Sequence, residues 1–449
     1  MSTTSRQLPS STKVLIVGAG PSGLAAAISL IKHGVSVQDI VIVDSVHRGD
    51  NTSRATVLHA ATLEALESID CVQDLVSSGI HMKGMRLLDG KGSIFLTNDF
   101  SSLNSYTKYP YSCVISQAYT EASLNKQLDA LSGYVFRPLK AVGMKPSEGG
   151  LEVTFENGES VTAPYVVAAD GARSVIRSIS GINFADPDGL TPDEMDPRTS
   201  QIVLADVSFT NSLEHALPTD PFLGSFAVGE QGIFLIAPLG HPKVHSEIYN
   251  AEDPVYRIGF SIPLDKGEGP SQPGLEILQK YIDQQGPPFL SSDPTRNPNH
   301  PIHVKKVYWS TRFRTHSAIA DVFFKRIRGD VDRQNGGVVM LVGDAAHIHS
   351  PIGGQGMNLC IRDSIGLGAT LAQHIHTSNV DDHLEVLRNF AEERHGKALK
   401  QIGMTKRFVR MVGTLMNRFS IQYWVLYLLG NIPFVKRNLT WQLSGLGNR

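Results

Sequence analysis

The chain has 449 residues, 41% of them hydrophobic, enough for roughly three domain-sized units or two large ones. Its 41 Lys and Arg against 43 Asp and Glu leave a net charge of −2, which carries no electrostatic footprint for nucleic acid. Three widely spaced cysteines, Cys71, Cys113 and Cys360, argue against a disulfide scaffold and for a reducing, cytoplasmic setting, and residues 1–13 lack the apolar core of a secretory signal.

Residues 13–44 are predicted to form a β-α-β unit. Val14 to Val17 is the first strand, Gly18-Ala19-Gly20-Pro21-Ser22-Gly23 the turn, and Leu24 to Ile31 a helix with Gly34 near its end. Ile40 to Val43 is the second strand, closed by Asp44. Gly18 makes the tight turn, Gly20 lets a pyrophosphate come close, and Gly23 lets helix and strand pack, while Asp44 stands where a carboxylate accepts hydrogen bonds from a ribose. The spacing predicts dinucleotide binding without separating FAD from NAD.

Residues 51–68 begin as a loop and become a helix, with Leu63, Leu66 and the following Ile69 on one side. A hairpin is expected around Asp89-Gly90, and Ser116 to Glu121 leads into a helix carrying Leu124, Leu128 and Leu131. Leu151 to Ala163 is a second hairpin, turning at Asn157-Gly158. It delivers a strand from Tyr165 to Ala169, then Asp170-Gly171 and a helix start at Ser174, an arrangement suited to a second contact with the same phosphates.

Residues 186–200 and 263–301 read as polar, Pro-rich loops around a β-leaning block from Ile202 to Ile262. Within that block Ile233 to Leu239 and Ile258 to Ile262 are strands that either line a pocket or belong to an ordinary core. Val338 to Val342 is an apolar run expected as a parallel strand covered on both faces. Gly343-Asp344 then ends it with a turn and a carboxylate suited to a sugar-type hydroxyl. Pro351, Gly353, Gly354, Gly356, Met357 and Asn358 follow, a loop largely without Cβ atoms running into a helix whose N-terminus offers unpaired N–H groups. His347 and His349 are expected to pack or hydrogen-bond rather than to bind metal, and no metal site is expected.

Residues 381–412 are predicted as an amphipathic helix, with Leu384, Leu387 and Phe390 on one face. In the apolar tail, Tyr423 to Leu429 falls far short of the ~20 residues of a membrane span. A docked core helix is the expectation there, with membrane-surface or dimer contact as the alternative.

The run GDAAHIHSPIGGQGMN, residues 343–358, resembles the second flavin-binding motif of the single-component FAD aromatic hydroxylases, the para-hydroxybenzoate and phenol hydroxylase family. YVVAADGARSVIR resembles that family's Asp-Gly motif, and the likeness covers roughly residues 13 to 375 with the motifs in the family's order. The resemblance implies FAD, with Asp344 on its ribityl or ribose part and the amides of Gly356, Met357 and Asn358 facing N1 and O2 of the isoalloxazine. Arg54 is carried over to the FAD phosphates and ribose, Gln117 to a flavin contact at a helix start, and Asp170-Gly171 to the border of the pyrophosphate and the path of the nicotinamide. Arg362-Asp363-Ser364 departs from the family, which often has Gln-Asp-Ala there.

The implied fold is α/β, with a discontinuous Rossmann-type FAD-binding domain (12–80, 110–185 and 305–375), a β-sheet substrate domain (81–109 and 186–304) and a C-terminal helical region (376–449). The implied activity is a monooxygenase that uses NADPH or NADH and O2 to hydroxylate a phenolic or polyketide-like aromatic molecule through a C4a-hydroperoxyflavin. Epoxidation, Baeyer–Villiger oxidation or an FAD dehydrogenase reaction without oxygen insertion are the alternatives. With no second GxGxxG, the nicotinamide is expected to dock transiently. Tyr249, His59 and Arg257 are all candidates for a catalytic base, the sequence does not choose among them, and a homo-oligomer is left open.

Overall fold

Four short apolar runs build the central sheet of the computed structural model, which describes residues 6–47, 55–89, 94–190, 201–211, 213, 223–229, 232–263, 267–329, 336–351, 353–377, 383–415 and 421–449. They are β1 (Val14–Val17), β2 (Ile40–Val43), β12 (Tyr165–Ala168) and β21 (Gly336–Leu341), and every residue in them is buried. Strands covered on both faces need no polar alternation, which is why they read as continuous apolar runs. With β8 (Val135–Phe136) and β20 (Phe324–Arg328) at the edges, the order is β20-β21-β12-β1-β2-β8. All neighbours are parallel except β20 and β21.

Register then fixes the site's location. Val17 lies level with Val43 on one side and Ala168 on the other, and Ala168 is level with Leu341. Four strands therefore end together at one edge, the edge at which open α/β sheets bind ligands. The helix α1 (Pro21–Lys32) packs against both α4 (Gln117–Ala130) and α8 (Gly356–Thr377). The crossing of α1 and α8 is close: a Cβ on Gly368 would stand 2.5 Å from Cβ of Ser29, whose hydroxyl donates to the Ile365 carbonyl at 2.7 Å.

Three small sheets decorate this unit: β9 (Ala141–Ser147), β10 (Gly150–Phe155) and β11 (Ser160–Ala163); β13 (Phe184–Ala185), β19 (Ala318–Ala320) and β22 (His347–Ile348); and β3 (Val57–Leu58), β7 (Ser112–Val114) and β4 (Ile80–Met82). Both expected hairpins form, β10 with β11 across residues 157–158 and β5 (Gly84–Asp89) with β6 (Ile94–Asp99). Short helices α2 (Ala60–Ser68), α3 (Gln73–Ser78), α5 (Val175–Ile179) and α6 (Pro242–Tyr249) fill the connections.

A second, largely antiparallel sheet runs β18-β14-β17-β16-β15-β5-β6, built from β14 (Gln201–Phe209), β15 (Leu223–Gly229), β16 (Gly232–Pro238), β17 (Tyr256–Ser261) and β18 (Val304–Arg314) together with the β5–β6 hairpin. All nine residues of β14 are buried because both faces are covered. Val203, Ala205 and Val207 pack against Leu278 and Ile282 of α7 (Leu275–Gln285). Ile202 and Leu204, on the opposite face by the two-residue period, meet Phe408 of α9 (Glu385–Leu415) and Tyr423 of α10 (Ile421–Gly430). The last helix, α11 (Pro433–Ser444), packs against β6.

Three expectations change. Residues 263–301 are not simply a loop, since α7 buries Leu278 and Ile282, an i, i+4 pair too short to stand out among prolines and polar residues. The strand Val304–Arg314 pairs with β14 along its length, so the second sheet claims a segment that an FAD-binding boundary at residue 305 would have assigned to the first. Its mixture of charged and aromatic residues gave no compositional break. The apolar tail is not a docked core helix: of α10 only Tyr423 is buried, because α10 touches the sheet by one edge alone.

Candidate functional site

The glycine-rich turn after β1 divides its work among three positions. Gly18 has φ +103°, and a Cβ there would stand 2.2 Å from the Ala169 carbonyl oxygen. On Gly23 a Cβ would stand 1.8 Å from the Gly18 carbonyl oxygen, so only glycine lets α1 start so close to β1. Gly20 is different. A Cβ at this position meets nothing within 4 Å among the described residues, and Gly20 is the N-cap of α1 with no side-chain cap, Pro21 behind it and no acidic residue in the first turn. Open space before uncapped amides at the positive end of a helix is what an anionic pyrophosphate needs.

Asp44, at the end of β2, is buried, and its carboxylate accepts the Ala19 amide at 2.7 Å and the Val46 amide at 3.0 Å. It thereby holds the glycine turn. Arg137, which sequence reasoning missed, stands 3.8 Å from that carboxylate and donates to the Ala19 carbonyl at 3.0 Å. Its Nε is buried with no hydrogen-bond partner among the described residues. The available signal was its position just after β8, at the same sheet edge.

Asp170 reaches that edge, yet its carboxylate turns inward. It accepts the Ser174 hydroxyl and the amides of Val175 at 2.8 Å and Ile176 at 3.1 Å, so it caps α5 rather than pointing at a phosphate. Burial pushes its pKa up against those hydrogen bonds. What remains open there is the half-buried Gly171 turn, with φ +82° and no atom of the described residues within 4 Å of a notional Cβ. Gln117 likewise serves the chain: its side-chain oxygen accepts the Ala55 amide at 3.1 Å, and its backbone N–H donates to the Ala55 carbonyl at 2.9 Å. This pins the residue next to Arg54, which lies outside the described residues.

At the end of β21, Gly343 has φ +66° and a notional Cβ 2.4 Å from the Ser22 hydroxyl oxygen, which brings the turn against the start of α1. Asp344 follows, half-buried, with the Cys360 thiol 3.8 Å away. Pro351 is exposed in the loop, and Gly356, Met357 and Asn358 open α8, whose first turn carries no acidic residue. Asn358 is a brace. Its side chain donates to the carbonyls of Val57 at 2.8 Å and Gly354 at 2.6 Å and accepts the His59 amide at 2.8 Å.

His59 completes the brace. Nε2 stands 3.1 Å from the Gly353 carbonyl, which can only accept, so the proton sits on Nε2 and Nδ1 accepts from the Ser112 hydroxyl at 2.9 Å. Both nitrogens are occupied by structure, which removes His59 from the candidate bases. Burial, with a smaller push from Arg362, lowers its pKa to about 4, and burial takes His349 to about 4 as well. Between about pH 6.5 and about pH 4 the unfolded chain therefore binds protons that the folded one refuses, and stability must fall as pH falls through that window. We expect His59→Asn to flatten this loss by about 2–3 kcal/mol in urea titrations at the two ends of the window; an unchanged slope would contradict the assignment.

The loop is also gripped from the far end of the chain. Gln355 donates to the Leu443 carbonyl at 2.8 Å, and buried Arg362 donates to the carbonyls of Asn358 at 3.2 Å, Gly445 at 3.1 Å and Asn448 at 2.8 Å. Burial pulls Arg362 down to about 10, still charged at neutral pH. This explains its departure from the Gln-Asp-Ala pattern. His347 bonds Asp363 at 3.0 Å and His349 the Ser350 carbonyl at 3.0 Å, hydrogen-bonding roles as expected.

In the second sheet, Asp206 and Arg257 form a fully buried ion pair, and the Tyr249 hydroxyl donates to Asp206 at 3.0 Å. The Trp309 ring lies 4.8 Å from the guanidinium carbon. Two of the candidate bases are thus joined through an aspartate that sequence reasoning did not single out.

The sequence matches the family model described as "FAD binding domain" over residues 11–222 and 320–401. It is 27% identical over 408 residues to rifampicin monooxygenase of Streptomyces venezuelae, covering 89% of this chain and 72% of that protein. To pentachlorophenol 4-monooxygenase of Sphingobium chlorophenolicum it is 27% identical over 366 residues, covering 80% of this chain and 58% of that protein. The fold is similar to the crystal structure of p-nitrophenol 4-monooxygenase from Pseudomonas putida, with a TM-score of 0.72 at 20% identity, over 98% of this chain and 99% of the other.

Proposed function

Because this chain belongs to the FAD-binding domain family, whose model spans well over half of it, we propose that it is a monooxygenase that uses NADPH or NADH and O2 to hydroxylate a phenolic or polyketide-like aromatic compound. The observation that carries this reading is the convergence at one sheet edge of an uncapped, unobstructed helix start at Gly20 and a second helix start at Gly356, whose loop is braced from three directions. A dinucleotide sensor needs the first; the second suits a planar group that gains negative charge on reduction. The named activities of the two relatives, on rifampicin and on pentachlorophenol, support oxygen transfer to an aromatic substrate.

In this reading the amides at the start of α1, with Arg54, hold the pyrophosphate, and Asp44 and Arg137 serve the adenosine ribose. Asp344 serves the ribityl chain, and Gly343 and Pro351 shape the turns on either side. The amides of Gly356, Met357 and Asn358 stabilise the reduced isoalloxazine. Bound FAD, once reduced by the nicotinamide, supplies the activation of O2, one oxygen atom entering the substrate C–H bond and the other leaving as water. The second sheet supplies a dry wall, and the Tyr249–Asp206–Arg257 group is its polar element.

The test is NADPH consumption by the purified yellow protein in air, with and without a panel of phenols. We expect oxidation to accelerate about tenfold or more with an accepted phenol and the product to carry one atom from labelled oxygen. Oxidation indifferent to every phenol, or a product without the label, would overturn the proposal.

A further inference from the structure

The C-terminal helices segregate both charge and apolar surface. Residues 394–449 hold ten of the chain's 41 Lys and Arg and none of its 43 Asp and Glu, so the preceding residues carry 31 basic against 43 acidic side chains. Within this basic stretch α10 packs on the second sheet by one edge. Tyr423 is buried and Leu426 half-buried, and Phe95 of β6 lies 5.2 Å from the Tyr423 ring and 5.5 Å from the Tyr427 ring. The opposite stripe is bare: Ile421 is 82% exposed, Trp424 55%, Leu428 68% and, beyond the turn into α11, Phe434 75%. Val425, Leu429 and Ile432 are exposed beside them.

Positions 421, 424, 425 and 428 share one helical face, and solvent-facing stripes of this kind are normally covered. The same face is bordered by cations. The turns of α9 that pack beside α10 through Phe408 and Val409 carry exposed Arg407 and Arg410, and α11 carries exposed Arg437. A second copy of the chain would set one all-basic segment against another, whereas an anionic surface would neutralise it. Among the described residues no helix is long and apolar enough to cross a membrane.

We propose that α10 and the start of α11 form an interfacial docking element for an anionic lipid surface, with the Ile421–Trp424–Val425–Leu428 stripe in the headgroup and acyl boundary and Arg407, Arg410 and Arg437 on the lipid phosphates. The chain lies on the bilayer and does not span it. Since α11 continues into the Leu443–Asn448 stretch held by Gln355 and Arg362, the lipid-facing element is fastened to the loop that opens α8.

The full-length holoprotein should sediment with vesicles of equimolar phosphatidylcholine and phosphatidylserine and remain in solution with phosphatidylcholine alone. Trp424→Ser with Leu428→Ser should reduce the bound fraction about tenfold, and Arg407→Gln with Arg410→Gln should remove most of the dependence on phosphatidylserine. Both pairs are exposed, so flavin content and thermal midpoint should match the parent. Protein that stays in solution with the anionic vesicles would overturn the proposal. So would a dimer in light scattering that the Trp424→Ser, Leu428→Ser variant converts to monomer.

Discussion

Gly20→Val should yield a folded chain that no longer retains FAD, whereas Gly23→Ala should damage the fold itself. A valine side chain at position 20 enters space that no atom of the described residues occupies, and the N-cap φ of −71° suits any residue. The apo-protein should therefore stay within about 0.5 kcal/mol of the parent. If that space admits the pyrophosphate, the side chain excludes it, and FAD affinity should fall about 100-fold, ~2.7 kcal/mol. At position 23 a single methyl group collides with the Gly18 carbonyl oxygen at 1.8 Å, and α1 must move off β1. Overpacking there should cost about 1–3 kcal/mol or more, with FAD lost as a consequence. Urea denaturation of the apo forms and fluorescence titration with FAD separate the two effects. A Gly20→Val protein with full flavin content would refute the placement of the phosphates.

Breaking the buried ion pair of the second sheet should be equally severe. Arg257→Met leaves the Asp206 carboxylate fully buried without its guanidinium, and loss of one partner of such a pair costs about 3–5 kcal/mol. Asp206→Leu should cost a similar amount by removing the buried guanidinium's carboxylate. The double variant removes both charges and leaves apolar groups among the aliphatic residues of β14, β16 and β17, so it should be more stable than either single variant. Urea unfolding of the four proteins completes the cycle. Additive losses would mean that the pair is screened and the sheet less dry than its burial indicates. The Tyr249 hydroxyl depends on the same carboxylate, so the substrate side should lose order with either single change.

Local sterics were written in the spacing of residues. Gly18 and Gly23 perform the steric tasks their positions implied, and Gly20 leaves open space among the described residues, because backbone crowding within a few residues depends on little else. The apolar runs became buried parallel strands, and the Asn157-Gly158 turn sits between two paired strands. The meeting of β1, β2, β12 and β21 at one edge also followed from the order of the motifs, since parallel strands with right-handed crossovers align their carboxyl ends.

Choice of partner was decided only by the tertiary structure. Asp170 looked like a phosphate ligand from its place after a strand, but the first amides of α5 lie closer to it. Arg137 has no motif, and only the approach of β8 to β2 sets it beside Asp44. Gln355 and Arg362 bond carbonyls more than 80 residues away, and Asp206 finds Arg257 across 51 residues. The tail's exposure was hidden for the same reason. Hydrophobicity states that Ile421, Trp424 and Leu428 favour leaving water; whether protein covers them depends on which edge of α10 meets the sheet, and Tyr423 and Leu426 take that edge.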